Sequence, residues 1–155
     1  MLCAQSKWGA DDAYALTRAA QFFSYLLKDA PTADAIVDRA IAVNPNSSEA
    51  WRIRGFVSIN LGQHEPAIEQ FQHAMRLNPV DPQVYYSENG LAIANFFLRR
   101  FEIALSWAVK SMARQKTYAP AERTAMNCYA MLGRIAEAQS IQVRLRQVGT
   151  MTTIS

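Results

Sequence analysis

The chain is predicted to be all-α, an α-solenoid of about four helix-turn-helix units, and three observations predict it. The first is an internal repeat. "LLKDAPTADAIVDRAIAVNP", ending at Pro45, and "NLGQHEPAIEQFQHAMRLNP", ending at Pro79, superpose without gaps at an offset of 34 residues. Leu27 then falls on Leu61, Ala33 on Ala67, Val37 on Phe71, Ala40 on Ala74 and Pro45 on Pro79. The second is periodicity. Ala67, Ile68, Phe71, Ala74 and Met75 recur at the spacing of one helical face. The third is composition: alanine is abundant, strand-like runs of Val, Ile and Thr are scarce, and only six glycines and six prolines punctuate the chain.

The repeat continues with small changes. "FLRRFEIALSWAVKSM" puts Leu98, Ala104, Ala108 and Ser111 at the corresponding places, now 37 residues on. "MLGRIAEAQSIQVRL" puts Leu132, Gly133 and Ala138 there, 71 residues after Leu61, Gly62 and Ala67. One domain, residues 1–155, is therefore expected, with units at about 14–47, 48–81, 82–118 and 119–152.

Each unit reads as two helices, A then B. In the second unit helix A should run from about Ser48 to Leu61, capped by Asn46 or Ser47, with Glu49 against the positive end of its dipole. Gly62 marks its end. Helix B starts near Glu65, so Pro66 falls in its first turn, where a missing N–H costs little. Asn78-Pro79 stops it. The first unit keeps only the helix B half of the pattern. The third should carry an enlarged helix A, "VYYSENGLAIANFFL". Alanines allow close helix approach, with Trp51 and Phe71 filling the gaps between helices. No unit can bury its apolar face alone, so stacking makes the core.

These residues resemble the tetratricopeptide repeat (TPR) family over about residues 14–150. The family pattern W-x2-L-G-x2-Y, A-x3-F, then A and P is met in the second unit by Trp51, Gly55, Leu61, Gly62, Ala67, Phe71, Ala74 and Pro79. It is departed from at Arg54 and Ser58, where Leu and Tyr are usual. The resemblance implies a right-handed superhelix and a protein that binds protein or peptide. More narrowly, "NPNSSEAWRIRGFVSINLGQHEPAIEQFQHAMRLNPVDPQVYYSENGLAIANFF" is similar to the C-terminal TPR region of bacterial class III adenylate cyclases, and of TPR-bearing transcriptional regulators. That similarity implies a regulatory or self-association domain detached from its effector. The stop at "GTMTTIS" then reads as the end of a shortened chain, and the sequence upstream of Met1 would name the effector.

Other function classes fare poorly. No apolar run nears the roughly 18–20 residues of a membrane span. The start "MLCAQSKWGADD" lacks the order of a signal peptide, so a cytoplasmic protein with reduced Cys3 and Cys128 is expected. Asn46-Ser47-Ser48 reads as a turn and cap, not a glycosylation site. The net charge of +3 is uneven: residues 1–77 carry seven Lys/Arg and eight Asp/Glu, residues 78–155 nine and five. With no long basic run, this favours an acidic protein partner over nucleic acid. His64 and His73 are nine apart on one helix, half a turn out of phase at about 100° per residue, so they cannot share a metal. His73 is read as solvent-facing. Asp11-Asp12, Asp34 with Asp38, and Glu65 with Glu69 fit helix N-terminal turns, and no G-x-S-x-G, P-loop or G-x-G-x-x-G occurs. No enzyme, cofactor or metal is expected.

The resemblance implies that the A helices line a concave groove. Its exposed positions would be Arg18, Phe22 and Tyr25 in the first unit, and Arg52, Phe56, Ile59 and Asn60 in the second. Ile93, Phe96 and Phe97 would follow in the third, and Arg123 and Asn127 in the fourth. Arg18, Arg52 and Arg123 recur at one register position, and Arg123 with Asn127 could grip a carboxylate. Cations beside apolar side chains suit a peptide with acidic and hydrophobic residues. The usual carboxylate-clamp asparagine is absent, since Gln21 and Phe22 stand there. The stripe Ile135, Ala138, Ile141, Leu145 and Val148 of the last helix suggests a homodimer contact.

Overall fold

In the computed structural model, residues 12–153 are described, with side chains to residue 149. They form eight α-helices and no strand. In chain order these are α1 (Ala13–Tyr25), α2 (Ala30–Val43), α3 (Ser48–Asn60), α4 (His64–Leu77), α5 (Val84–Phe97), α6 (Phe101–Arg114), α7 (Ala119–Met131) and α8 (Ile135–Thr153). The fold is an all-α helical repeat. Two compact units make up the chain, one ending at Asp81 and one beginning at Pro82.

In the first unit α1, α2 and α3 are each capped by a side chain. Asp12 accepts hydrogen bonds from the backbone N–H groups of Tyr14 and Ala15 at the head of α1. Asp29 accepts from Thr32 N–H at 3.1 Å and is followed by Pro31 in the first turn of α2. The hydrogen bonds from Thr32 hold its carboxyl below the usual range. Ser47 caps α3 by accepting from Ala50 N–H at 3.2 Å, and Glu49 lies in the first turn. Pro66 sits in the first turn of α4.

The helix ends use the left-handed region. Gly62 has φ +76° between α3 and α4, and Lys28 has φ +56° between α1 and α2. These two positions are 34 residues apart, so one turn geometry is built with glycine once and with lysine once.

The core is small side chains around a few large ones. Ala20, Ala33, Val37, Ile53 and Val57 form one buried cluster, and Leu16, Ala40 and Ala50 another. Phe71 of α4 is fully buried, its ring 4.9 Å edge-on from Phe56 and pressed against Gly55 of α3. Arg54, where the repeat pattern has leucine, bridges α3 to α2 by ion pairs with Asp34 (3.4 Å) and Asp38. Trp51 departs from its expected gap-filling role. It is half-buried, donates its indole N–H to Pro45 O at 2.8 Å, and meets the ring of His73 edge-on at 4.5 Å. His73 is accordingly half-buried, not fully solvent-facing.

In the second unit Ala92, Ala104, Leu105, Ala108, Ala125, Cys128 and Ile141 form the core. Burial pushes the Cys128 thiol up to about 11. Cys3 lies outside the described residues. Ser111 donates to Tyr85 O at 2.8 Å, and Arg114 donates to the buried Glu88 at 2.7 Å, tying α6 to α5. Tyr85, Tyr86 and Tyr118 pack ring to ring at 4.4 to 5.1 Å. The expected enlargement of the third helix A is small. α5 has 14 residues against 13 in α3, while the connection before it runs from Asn78 to Gln83 against Asn44 to Ser47 before α3. Most of the extra length is in the turn, where added residues disturb no helical stripe.

Candidate functional site

The candidate face is borne by the first helix of each pair, which the fold sets beside the first helix of the next pair: α1 beside α3 in the first unit, α5 beside α7 in the second. Asn60 of α3 donates to Ser24 Oγ of α1 at 2.8 Å and fixes that neighbouring relation.

On α1, Arg18, Phe22 and Tyr25 stand at i, i+4 and i+7, one stripe. Phe22 is 49% and Tyr25 72% exposed. Arg18 is half-buried. Its guanidinium lies 5.6 Å from the Tyr14 ring centroid and is held by Glu49 of α3, while its buried Nε has no hydrogen-bond partner. Lys28 sits over the Tyr25 ring at 4.9 Å. The stripe thus offers aromatic surface interleaved with two cations.

On α3 the picture differs. Arg52, expected on an open groove, is 6% exposed. It bonds Glu49 (3.5 Å) and Asp81 (3.3 Å), so its charge is spent inside the fold. Glu49 lies between Arg18 and Arg52 and receives both. Phe56 and Ile59 are half-buried and Asn60 is exposed. The structure therefore brings Arg18 and Arg52 to one carboxylate, with only Arg18 reachable from solvent.

In the second unit Ile93 and Phe96 are half-buried, with Phe96 edge-on to Phe101 at 5.3 Å, and Phe97 is exposed. Arg123 and Asn127 are exposed one turn apart on α7. One feature was not read from the sequence: a shallow recess lined by Trp51, Pro66, Glu69, Gln70, His73 and Arg76 on α3 and α4. Its signal was the Trp51 and His73 pair, 22 residues apart in sequence and adjacent only once α3 and α4 pack.

Among the described residues no three His, Cys, Asp or Glu side chains gather as a metal site. No described helix is long and apolar enough to cross a membrane.

Comparison with known proteins agrees with the repeat. The sequence model of the tetratricopeptide repeat matches residues 27–87. Tetratricopeptide repeat protein 33 of Mus musculus is 30% identical over 79 residues, 51% of this chain and 24% of that protein. The chain thus spans about a quarter of the length of that curated relative. The crystal structure of MamA superposes with a TM-score of 0.73 at 16% identity, covering 96% of this chain and 85% of that one. The crystal structure of YrrB, "a TPR protein with an unusual peptide-binding site", superposes with a TM-score of 0.64 at 20% identity, covering 87% and 68%. At these identities the two structures establish a shared fold.

Proposed function

We propose, for a chain that carries tetratricopeptide repeats over residues 27–87, that it is a non-catalytic module binding an extended or helical peptide segment of a partner protein. The stripe of α1 carries this reading: one solvent-reachable arginine between exposed aromatic rings. The partner segment bears an acidic side chain that engages Arg18 in competition with Glu49, and apolar side chains that cover Phe22 and Tyr25. Arg123 with Asn127 offers a second carboxylate grip on the other unit. YrrB, of the same fold, carries a peptide-binding site, and that supports the reading for this chain.

Arg18→Glu alone tests it. Arg18 is exposed enough that its reversal should cost little stability, about 1 kcal/mol or less. Capture of a biotinylated acidic–hydrophobic peptide from a display library, selected on the natural chain, should fall at least tenfold, with the melting temperature within a few degrees. Undiminished capture removes this face from consideration.

A second reading is self-association, the form expected of a regulatory domain similar to those of bacterial adenylate cyclases or transcriptional regulators. Of the expected stripe on α8, Ile135 and Val148 are each more than half exposed, while Ala138, Ile141 and Leu145 pack toward the core; Val143, outside that stripe, is 55% exposed. Light scattering at high concentration should show a dimer that Val143→Glu returns to monomer. A strict monomer throughout rejects it.

A further inference from the structure

The α5–α6 turn carries two cations that the peptide reading does not use. Four helix-pair turns place a residue at positive φ: Lys28, Gly62, Arg99 and Gly133. Glycine adopts that conformation without strain; the α1–α2 turn meets it with Lys28 and the α5–α6 turn with Arg99. Arg99 is followed by Arg100, and both are exposed. Phe97, two residues before, is 56% exposed.

α6 continues the same chemistry outward. Ile103 is 50% exposed, and Trp107 and Lys110 follow at i+4 and i+7, with the Lys110 ammonium 4.5 Å from the Trp107 ring centroid. At the equivalent positions of α4, 37 residues earlier, stand Pro66, Gln70 and His73. From Arg99 to Lys110 there are three cations and one carboxylate, Glu102. Trp107 is half-buried against the core of the second unit, while Ile103 and Lys110 stand exposed before and after it along α6.

We propose that the α5–α6 turn and the outward stripe of α6 form a peripheral docking face for an anionic lipid surface. Phe97 and Ile103 enter the headgroup–acyl boundary, Trp107 lies at the interface, and Arg99, Arg100 and Lys110 meet the headgroup phosphates and carboxylates. The charge of the stripe fits an anionic partner. A bilayer accepts apolar tips ringed by cations without the shape-matched pocket that a protein surface needs. Because no described helix can cross a membrane, the association is peripheral and sensitive to salt.

The test is co-sedimentation of the full chain with vesicles. Phosphatidylserine-containing vesicles should carry the protein down, phosphatidylcholine vesicles should not, and added salt should release it. Phe97→Ser with Ile103→Ser should lose binding. Arg99→Gly with Arg100→Gln should also lose it while the melting temperature holds or rises, because glycine relieves the turn. Arg76→Gln with Lys116→Gln removes the same charge elsewhere and should bind as the natural chain does. Failure of the folded protein to bind the anionic vesicles overturns the proposal and leaves the face to an acidic protein. Equal loss in both double charge variants overturns it too, by reducing the effect to net charge. The charge-variant readouts are independent of peptide capture by Arg18.

Discussion

Arg52→Glu is expected to cost about 3–5 kcal/mol of stability, a large share of the roughly 5–15 kcal/mol that holds a domain of this size. Arg52 is 6% exposed and lies between two carboxylates, Glu49 and Asp81. Reversal would put a third carboxylate beside them with little water to screen the repulsion. Arg18 could then answer only Glu49. Arg52→Met should be milder, about 1–3 kcal/mol, because it removes the charge and keeps the volume but leaves Asp81 without that arginine. Urea unfolding followed by circular dichroism should rank natural, Met and Glu variants in that order. Arg18→Glu should sit beside the natural chain. If Arg52→Glu unfolds at the natural midpoint, the arginine is not held as the structure shows, and the recurring-arginine groove of the sequence pattern regains its second member.

The contrast between the two arginines shows what was legible in the sequence. The helices were, because an apolar stripe and its stop signals lie within one short stretch: Ser47, Gly62, Pro66 and the stripe from Ala67 to Met75 sit where the spacing puts them. Arg18 and Arg52 occupy one register position and looked alike. Their difference comes from Asp81, 29 residues beyond Arg52, a separation that no helical period reports. Glu49 is similar: in sequence it is a first-turn acid, and only packing makes it the shared partner of two helices. Arg54 departs from the pattern, and Asp34 and Asp38, expected as acids of an N-terminal turn, instead lie beyond the first turn of α2 and hold Arg54. Their pairing is a fact of α2 lying on α3. The positive-φ turns at Lys28 and Arg99 were not read from the sequence. Lys28 and Arg99 align with Gly62 at the repeat's own offsets, but a residue's φ does not follow from its place in a repeat when the side chain there is not glycine.

Gly55 and Phe71 carry the last prediction, because their sizes are set jointly. A Cβ added at Gly55 would lie 2.7 Å from Phe71 Cε1 and Cζ and 2.9 Å from Cδ1. The ring has little room to yield, since it is fully buried with Phe56 edge-on against it. Gly55→Ala should therefore destabilise by about 1–3 kcal/mol, even though alanine is the better helix former by about 1 kcal/mol. Phe71→Leu should cost about 1–3 kcal/mol by the void it leaves. In that background Gly55→Ala should become neutral or stabilising, for the obstruction is gone and the helix preference remains. The coupling energy should be about 1–3 kcal/mol and of rescuing sign. The second unit holds the complementary solution: 37 residues on, Ala92 and Ala108 stand at the two positions, both fully buried. The first-helix residue is larger and the second-helix residue smaller, so the repeat trades volume across the pair. Additive effects in the double-mutant cycle would break that account of how the two helices of a pair approach.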